Sequence, residues 1–309
     1  MVPRSWLPRW RATEVEVDRN RAPNANLLGL LKYIQPQPSE LSRATGHAQT
    51  VRNRLTGNFD IRKFTRIGSH QRGTAIRHYS DLDFIAVLAR KEARWGRSTV
   101  ASTTVLNRVR DDLIDRYTTT DIGRDKQAIV IGFSGGQSSM DVVPALFDSF
   151  SAGRPIYVIP DGVGGWRETS PESHDRYFAS ADERSVSKLR RTIQLLKWWK
   201  HSRTPTVPIS SFYMEVVLAS QGTCAGVMSY SQCLYQAFRT LSVRAGQGIR
   251  DPLGISGVIA AADTNAKLDS LRRALSYAEE HAAKAFDQER LGSGNRANDQ
   301  WNMVFNGSF

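Results

Sequence analysis

The chain has 309 residues, enough for a sizeable hydrophobic core and two lobes. Its 40% hydrophobic and 23% charged residues are an ordinary globular balance, and no run of eighteen uninterrupted apolar residues offers a membrane-spanning helix. The 42 Lys and Arg exceed the 30 Asp and Glu, and a net charge of +12 favours polyanionic partners such as nucleotides or nucleic acid.

The opening segment, MVPRSWLPRWRATEVEVDR, is charged and lacks an apolar core region, so no secretory leader is expected. NANLLGLLKYI, residues 24–34, predicts a short apolar helix that stops before Gln-Pro-Gln-Pro. Ser39 is then placed to cap a longer helix with Leu41, Ala44, Ala48, Val51 and Leu55 on one side, ended by Gly57. Strands follow at 63–68 and 82–89, then a helix between Val100 and Tyr117 carrying Val105, Val109, Leu113 and Ile114 at helical spacing. Further strands are expected at 127–133, 140–146 and 155–159.

Residues 160–175, rich in Gly, Pro and Ser, mark a lobe boundary, and beyond them the pattern turns helical at 178–202, 210–221, 228–246, 263–290 and 295–303. The expected class is α+β: a mixed sheet covered by helices, joined to a C-terminal helical lobe, with an active-site cleft between them. The divisions are an arm and long bracing helix at 1–59, a sheet lobe at 60–165 and a helical lobe at 166–309. Only Cys224 and Cys233 are present, too few for a disulfide framework, which fits a reducing cytosol. The six histidines show no metal-binding spacing.

The chemistry concentrates in IGSHQRGTAIRHYSDLDF, residues 67–84. Gly68-Ser69 ends one strand, where a glycine lets backbone amides approach an anion and the hydroxyl adds a donor. Asp81 and Asp83 stand two apart at the start of the next strand and so project to one side. Adjacent carboxylates repel unless a cation lies between them, and such hard oxygen donors suit Mg²⁺ or Mn²⁺. Asp141 opens another strand-like run, SMDVVPA; if that strand is the neighbour, a third carboxylate completes a site for two ions. A lone Gly-Ser or Asp-x-Asp often marks only a turn, and it is their order, on strands, that points to phosphoryl-type transfer.

This pattern resembles the DNA polymerase β-like nucleotidyltransferase superfamily. GSHQRGTAIRHYSDLDF, SMDVVPA, YVIPDGVGGW, LRRTIQLLKWWK and PISSFYMEVV together resemble the bacterial cGAS/DncV-like nucleotidyltransferases, or CD-NTases, over roughly residues 40–309. The resemblance implies a polymerase-β-like palm and Mg²⁺-dependent condensation of nucleoside triphosphates, ATP and GTP, into a cyclic di- or trinucleotide. Pyrophosphate would be released, and the product would serve bacterial anti-phage signalling in the cytoplasm. Nucleotidyl transfer to another acceptor, such as an RNA 3′ end or a small molecule, or a nucleic-acid-binding module that uses the basic charge and whose cleft is vestigial, are the alternatives.

By the same resemblance Asp81, Asp83 and Asp141 hold two Mg²⁺, and Gly68 and Ser69 bind donor phosphates. Arg72 either joins those phosphates or braces its loop, while Gly73-Thr74 shapes the turn. Lys197 would reach the triphosphate, against the plainer reading of a solvated helix lysine, and Lys200 could share its face. Ser211 would contact the triphosphate with Ser210 as a substitute, or either is a helix cap. Glu215, Trp198 and Trp199 read as structural. Asp161 either lies near a nucleobase or is the aspartate of a Pro-Asp-Gly turn. Implied partners are the triphosphates, an effector that senses the product and a regulatory or modifying protein, with a nucleic-acid activator left open. The enzyme itself is expected to be a monomer off the membrane.

Overall fold

The computed structural model describes residues 22–133, 138–226 and 228–309. Two helices open it, α1 (Pro23–Ile34) and α2 (Pro38–Asn58), followed by β1 (Ile61–Arg66), the five-residue α3 (Gly68–Arg72) and β2 (Leu82–Leu88). A small hairpin, β3 (Arg94–Trp95) and β4 (Ser98–Thr99), leads to α4 (Ser102–Arg116). Then come β5 (Asp121–Asp125), β6 (Ala128–Gly132), β7 (Met140–Ser151), β8 (Arg154–Pro160) and β9 (Trp166–Thr169). The remainder is α5 (Pro171–Arg184), α6 (Lys188–His201), α7 (Ser211–Ser220), α8 (Tyr230–Val243), a small ladder of β10 (Ile249–Arg250) and β11 (Val258–Ile259), α9 (Asn265–Arg290) and α10 (Gly294–Val304).

The chain forms two compact units, Pro36–Asp175 and, separately, Arg176–Phe309 with the described residues up to Gln35. So α1 belongs to the helical unit and α2 to the sheet unit. In the sheet unit the strand order is β1-β2-β7-β6-β5, with β8 and β9 extending from β7. The pair β2–β7 is parallel and its neighbours β1–β2 and β6–β7 are antiparallel, which makes the sheet mixed.

Strand alternation divides this sheet into two faces. Leu82, Phe84, Ala86 and Leu88 of β2 pack with Met140 and Val142 of β7 under Ala44, Ala48, Val51 and Leu55 of α2 and Val105, Val109 and Leu113 of α4. Each fully buried aliphatic side chain of this layer contributes about 1.5–3 kcal/mol. Arg54 ties the two helices together through Asp112, at 2.7 Å. The opposite face carries Ile85, Val87, Val143 and Ala145 with Tyr157 and Ile159. Residues of odd number on β2 therefore face away from the α2 and α4 layer, and Asp83 is one of them.

The helical unit is built on apolar stripes. Leu27, Leu30, Leu31 and Ile34 of α1 are buried, as are Leu189, Ile193 and Leu196 of α6, and α1 packs on α6, α8 and α10. Trp199 meets Phe238 edge-on at 5.1 Å between ring centroids, and Trp198 donates its indole N–H to the Ser308 carbonyl at 2.8 Å. Both tryptophans are thus packing residues. Cys224 and Cys233 are free and buried.

Several local expectations are corrected. The cap of α2 is Gln37, not Ser39: Pro38 takes the first helical turn, and Gln37 and Glu40 form a reciprocal capping box. The segment 178–202 is two helices rather than one. The chain breaks at Val186 and Ser187, both at positive φ (52° and 60°). Asp182 explains the restart: its carboxylate accepts from the Arg190 backbone N–H at 2.8 Å and pairs with the Arg190 guanidinium. The Gly/Pro-rich stretch 160–175 carries a strand, β9, and the start of α5. The strand β5, not expected from the sequence, pairs with β6 along the hairpin from Asp121 to Gly132. Among the described residues no helix is long and apolar enough to cross a membrane.

Candidate active site

The decisive geometry is the register of β2 on β7. Leu82 pairs with Met140 and Asp83 with Asp141 across the parallel ladder. The Leu82 N–H continues the ladder into the Ser139 carbonyl at 2.9 Å. One step earlier Asp81 adjoins Ser139, and the Ser139 hydroxyl donates to Asp81 Oδ1. With side chains alternating along each strand, Asp81, Asp83, Ser139 and Asp141 occupy the corners of one patch on the face opposite α2 and α4. Nothing in the 57 residues between Asp83 and Asp141 reveals that register; pairing of two distant apolar strands creates it.

Gly68 borders the patch for a reason other than the one its sequence context suggests. Its φ is +71°, and a Cβ built there would fall 2.1 Å from Asp83 Oδ2. The missing side chain makes room for the carboxylate while the backbone turns from β1 into α3. Asp83 is held from the other side as well, its carbonyl accepting the Ile67 N–H at 2.9 Å. Ser69 follows at the start of α3, its carbonyl accepting from Thr74 at 2.9 Å, and Gly73 closes the turn at φ +69°. A Gly68→Ala substitution is expected to strain the backbone by about 1–3 kcal/mol and to displace Asp83. A carboxylate misplaced by an ångström costs roughly 100-fold in rate. Product formation measured beside a thermal melt checks both effects.

Among the described residues no three carboxylate, imidazole or thiol groups are already gathered into a metal cage. The donor set nonetheless fits a divalent cation: hard carboxylate oxygens, two of them on register partners of neighbouring strands.

The other expected site residues lie in more ordinary surroundings. Arg72 donates to Asp175 at 3.2 Å, with its side chain 11% exposed, and so braces α3. Asp161 Oδ1 accepts the backbone N–H groups of Val163 and Gly165 at 2.8 and 2.9 Å, the geometry of a carboxylate folding its own turn. In the helical unit, Ser210 caps α7 by accepting from the Tyr213 N–H, and Ser211 is the first residue of that helix. Lys197 is no solvated lysine. Its ammonium is buried in α6 and donates to Glu215 Oε1 of α7 at 2.8 Å. One turn on, His201 is held neutral, its pKa pushed down to about 3 by burial and by the charges of Lys200 and Lys197.

The family model of the Second Messenger Oligonucleotide or Dinucleotide Synthetase domain matches residues 22–181, just over half of the chain. The chain belongs to this family. It is thus one of the cGAS/DncV-like nucleotidyltransferases, and its mixed-sheet palm with a C-terminal helical region is the fold of that enzyme class. A probable cyclic nucleotide synthase of Bacillus cereus strain VD146 is 26% identical, covering 87% of this chain and 92% of the relative. The cyclic AMP-AMP-AMP synthase of Escherichia coli MS 115-1 is 22% identical over 56% of each chain. The structure of E. coli MS115-1 CdnC with ATP superposes with a TM-score of 0.71 at 18% identity, covering 93% of this chain and 98% of that one.

Ser139 is the residue of this patch that motif reading passed over. Its signal was its place two residues before Asp141, at the mouth of that strand, which puts both on one side, but that becomes informative only once the partner strand is known.

Proposed function

We propose that the chain is a Mg²⁺-dependent cyclic oligonucleotide synthase. It joins ATP and GTP into a cyclic di- or trinucleotide, releases pyrophosphate, and supplies a signal read by a downstream effector in bacterial anti-phage defence. The observation that carries the reading is the parallel register that sets Asp83 opposite Asp141, with Asp81 on the same face.

Asp81, Asp83 and Asp141 are assigned to two Mg²⁺, for which Mn²⁺ can substitute. Bound there, the cations neutralise the triphosphate and lower the pKa of the attacking hydroxyl. The chain's own residues supply position. Asp83 is fixed between Gly68 and the Ile67 N–H, and Asp141 follows from the ladder. Gly68 and Ser69 are assigned to donor phosphates, with the Ser69 hydroxyl as a donor. Ser211 and Lys197 of the helical unit are assigned to the triphosphate, where a phosphate would take the place of Glu215 at the Lys197 ammonium. Arg72 and Asp161 brace their loops. Adenine use is supported by the relative named for a cyclic AMP-AMP-AMP product and by the similar fold solved with ATP.

The test is incubation with each labelled nucleoside triphosphate, singly and in pairs, with Mg²⁺ or Mn²⁺, followed by phosphatase and nuclease mapping. Small phosphatase-resistant products from triphosphates alone are expected. Labelled polymer that appears only with added RNA would assign the site to RNA ends instead. Salt-dependent duplex binding that survives Asp81→Asn with Asp83→Asn, in a chain making no product, would point to a binding module.

A further inference from the structure

The patch built on β2 and β7 has four corners, and three are carboxylates. The fourth is Ser139, 7% exposed, at the parallel-ladder position beside Asp81. Its carbonyl is used by the Leu82 N–H at 2.9 Å, which fixes the Ser139 backbone against β2. Its hydroxyl donates to Asp81 Oδ1. Asp81 itself precedes β2 by one residue, so the ladder that holds Asp83 and Asp141 does not by itself hold the Asp81 carboxylate.

A carboxylate on a strand end can rotate about two side-chain bonds, and like charge on Asp83 and Asp141 disfavours its convergence with them. A buried hydroxyl that can only donate to it, anchored through its own backbone, opposes both effects. A fourth carboxylate at this corner would add repulsion, and an apolar side chain would remove the hydrogen bond to Asp81 Oδ1. A hydroxyl contributes no charge and orients the ligand through one oxygen, the part usually taken by groups just outside a metal's ligands.

We infer that Ser139 is a positioning residue, holding Asp81 in the orientation in which it receives a divalent cation. The inference rests on the three-aspartate reading above and deepens it, since it assigns to Ser139 a share of the cation affinity without any contact to nucleotide.

The test uses the full chain, free Mn²⁺ counted by electron paramagnetic resonance, and four variants: Ser139→Ala, Ser139→Thr, Ser139→Cys and Asp81→Ala. Removing a group that orients a metal ligand costs about 10–100-fold in metal affinity. Ser139→Ala is therefore expected to raise the Mn²⁺ dissociation constant by about tenfold, the low end of that range. Ser139→Thr, which keeps the hydroxyl, should restore it, and Ser139→Cys, a weak donor of similar shape, should fall between. In turnover, Ser139→Ala should raise the Mg²⁺ concentration for half-maximal rate while kcat at saturating Mg²⁺ recovers. A purely structural serine would lower the melting temperature and leave the Mg²⁺ requirement unmoved.

Two failures are distinguishable. If Asp81→Ala weakens Mn²⁺ binding while Ser139→Ala and Ser139→Cys leave it at the parent value, the role of Ser139 is overturned. If Asp81→Ala itself binds Mn²⁺ as the parent does, the three-aspartate reading falls and this inference falls with it. Should Ser139→Ala not fold, Ser139→Cys and Ser139→Thr decide the matter alone.

Discussion

Asp83→Ala is expected to abolish product formation to within about one part in 100 to 1,000 of the parent rate while leaving the fold intact. The size follows from what the side chain does. Phosphoryl-type transfer is mostly positioning and charge stabilisation, so losing a carboxylate assigned to the cations removes stabilisation at the reacting phosphate itself. The preserved fold follows from the surroundings. Asp83 projects from the sheet face opposite the α2 and α4 core, its backbone is tied to Ile67, and no packed aliphatic layer depends on its side chain. The melting temperature of the metal-free chain should accordingly stay close to that of the parent. Labelled-triphosphate turnover measured beside a thermal melt checks both halves. A variant that melts like the parent and still makes product at the parent rate would remove the mechanism.

The second large effect is expected on stability. Lys197 and Glu215 form an ion pair at 2.8 Å with side chains 4% and 2% exposed. Removing one partner of such a pair takes its counter-charge from the other in a poorly solvated interior. Lys197→Met should therefore destabilise the helical unit by about 3–5 kcal/mol, and Glu215→Leu by a similar amount. Replacing both together should cost much less than the sum, because neither charge then loses its counter-charge and the space is filled by apolar groups. Urea denaturation of the two single variants and the double variant reads this coupling. The consequence for function is direct: an inactive Lys197→Met enzyme is evidence for a phosphate contact only where its folded fraction has been measured. Additive losses in the double variant would show that the pair contributes little.

These two predictions come from different layers of information. The carboxylates were legible as a motif because strand alternation is local. Asp81 and Asp83 share a face whatever the rest of the chain does, and the apolar run after them makes the strand. Lys197 could be singled out only through family resemblance, and its carboxylate partner is eighteen residues away on a separate helix. Glu215 read as structural and is so, yet its structural task is to neutralise the lysine assigned to phosphate. Gly68 was placed correctly at the turn. That its hydrogen side chain clears space for Asp83 depends on a contact fifteen residues away that no spacing encodes.

The limits of local reading show equally in the helices. Leu, Ala and Val spacing located α2, α4 and α9 to within a few residues, because an amphipathic stripe must be buried against something. The break at Val186 and Ser187 was missed because the apolar periodicity carries across it. The turn is held by Asp182 reaching forward to Arg190, a polar contact invisible to hydrophobic pattern.

From the chain alone came most of the elements in order, the faces they bury and the placement of Asp81 and Asp83 on one side, since each depends on neighbours within a turn or a strand. Tertiary structure decided that β7 lies parallel to β2 in the register that sets Asp141 against Asp83 and Ser139 against Asp81. The physical reason is that the energy selecting a register is spread over a whole apolar ladder and the helices covering it, so no single stretch of residues carries it.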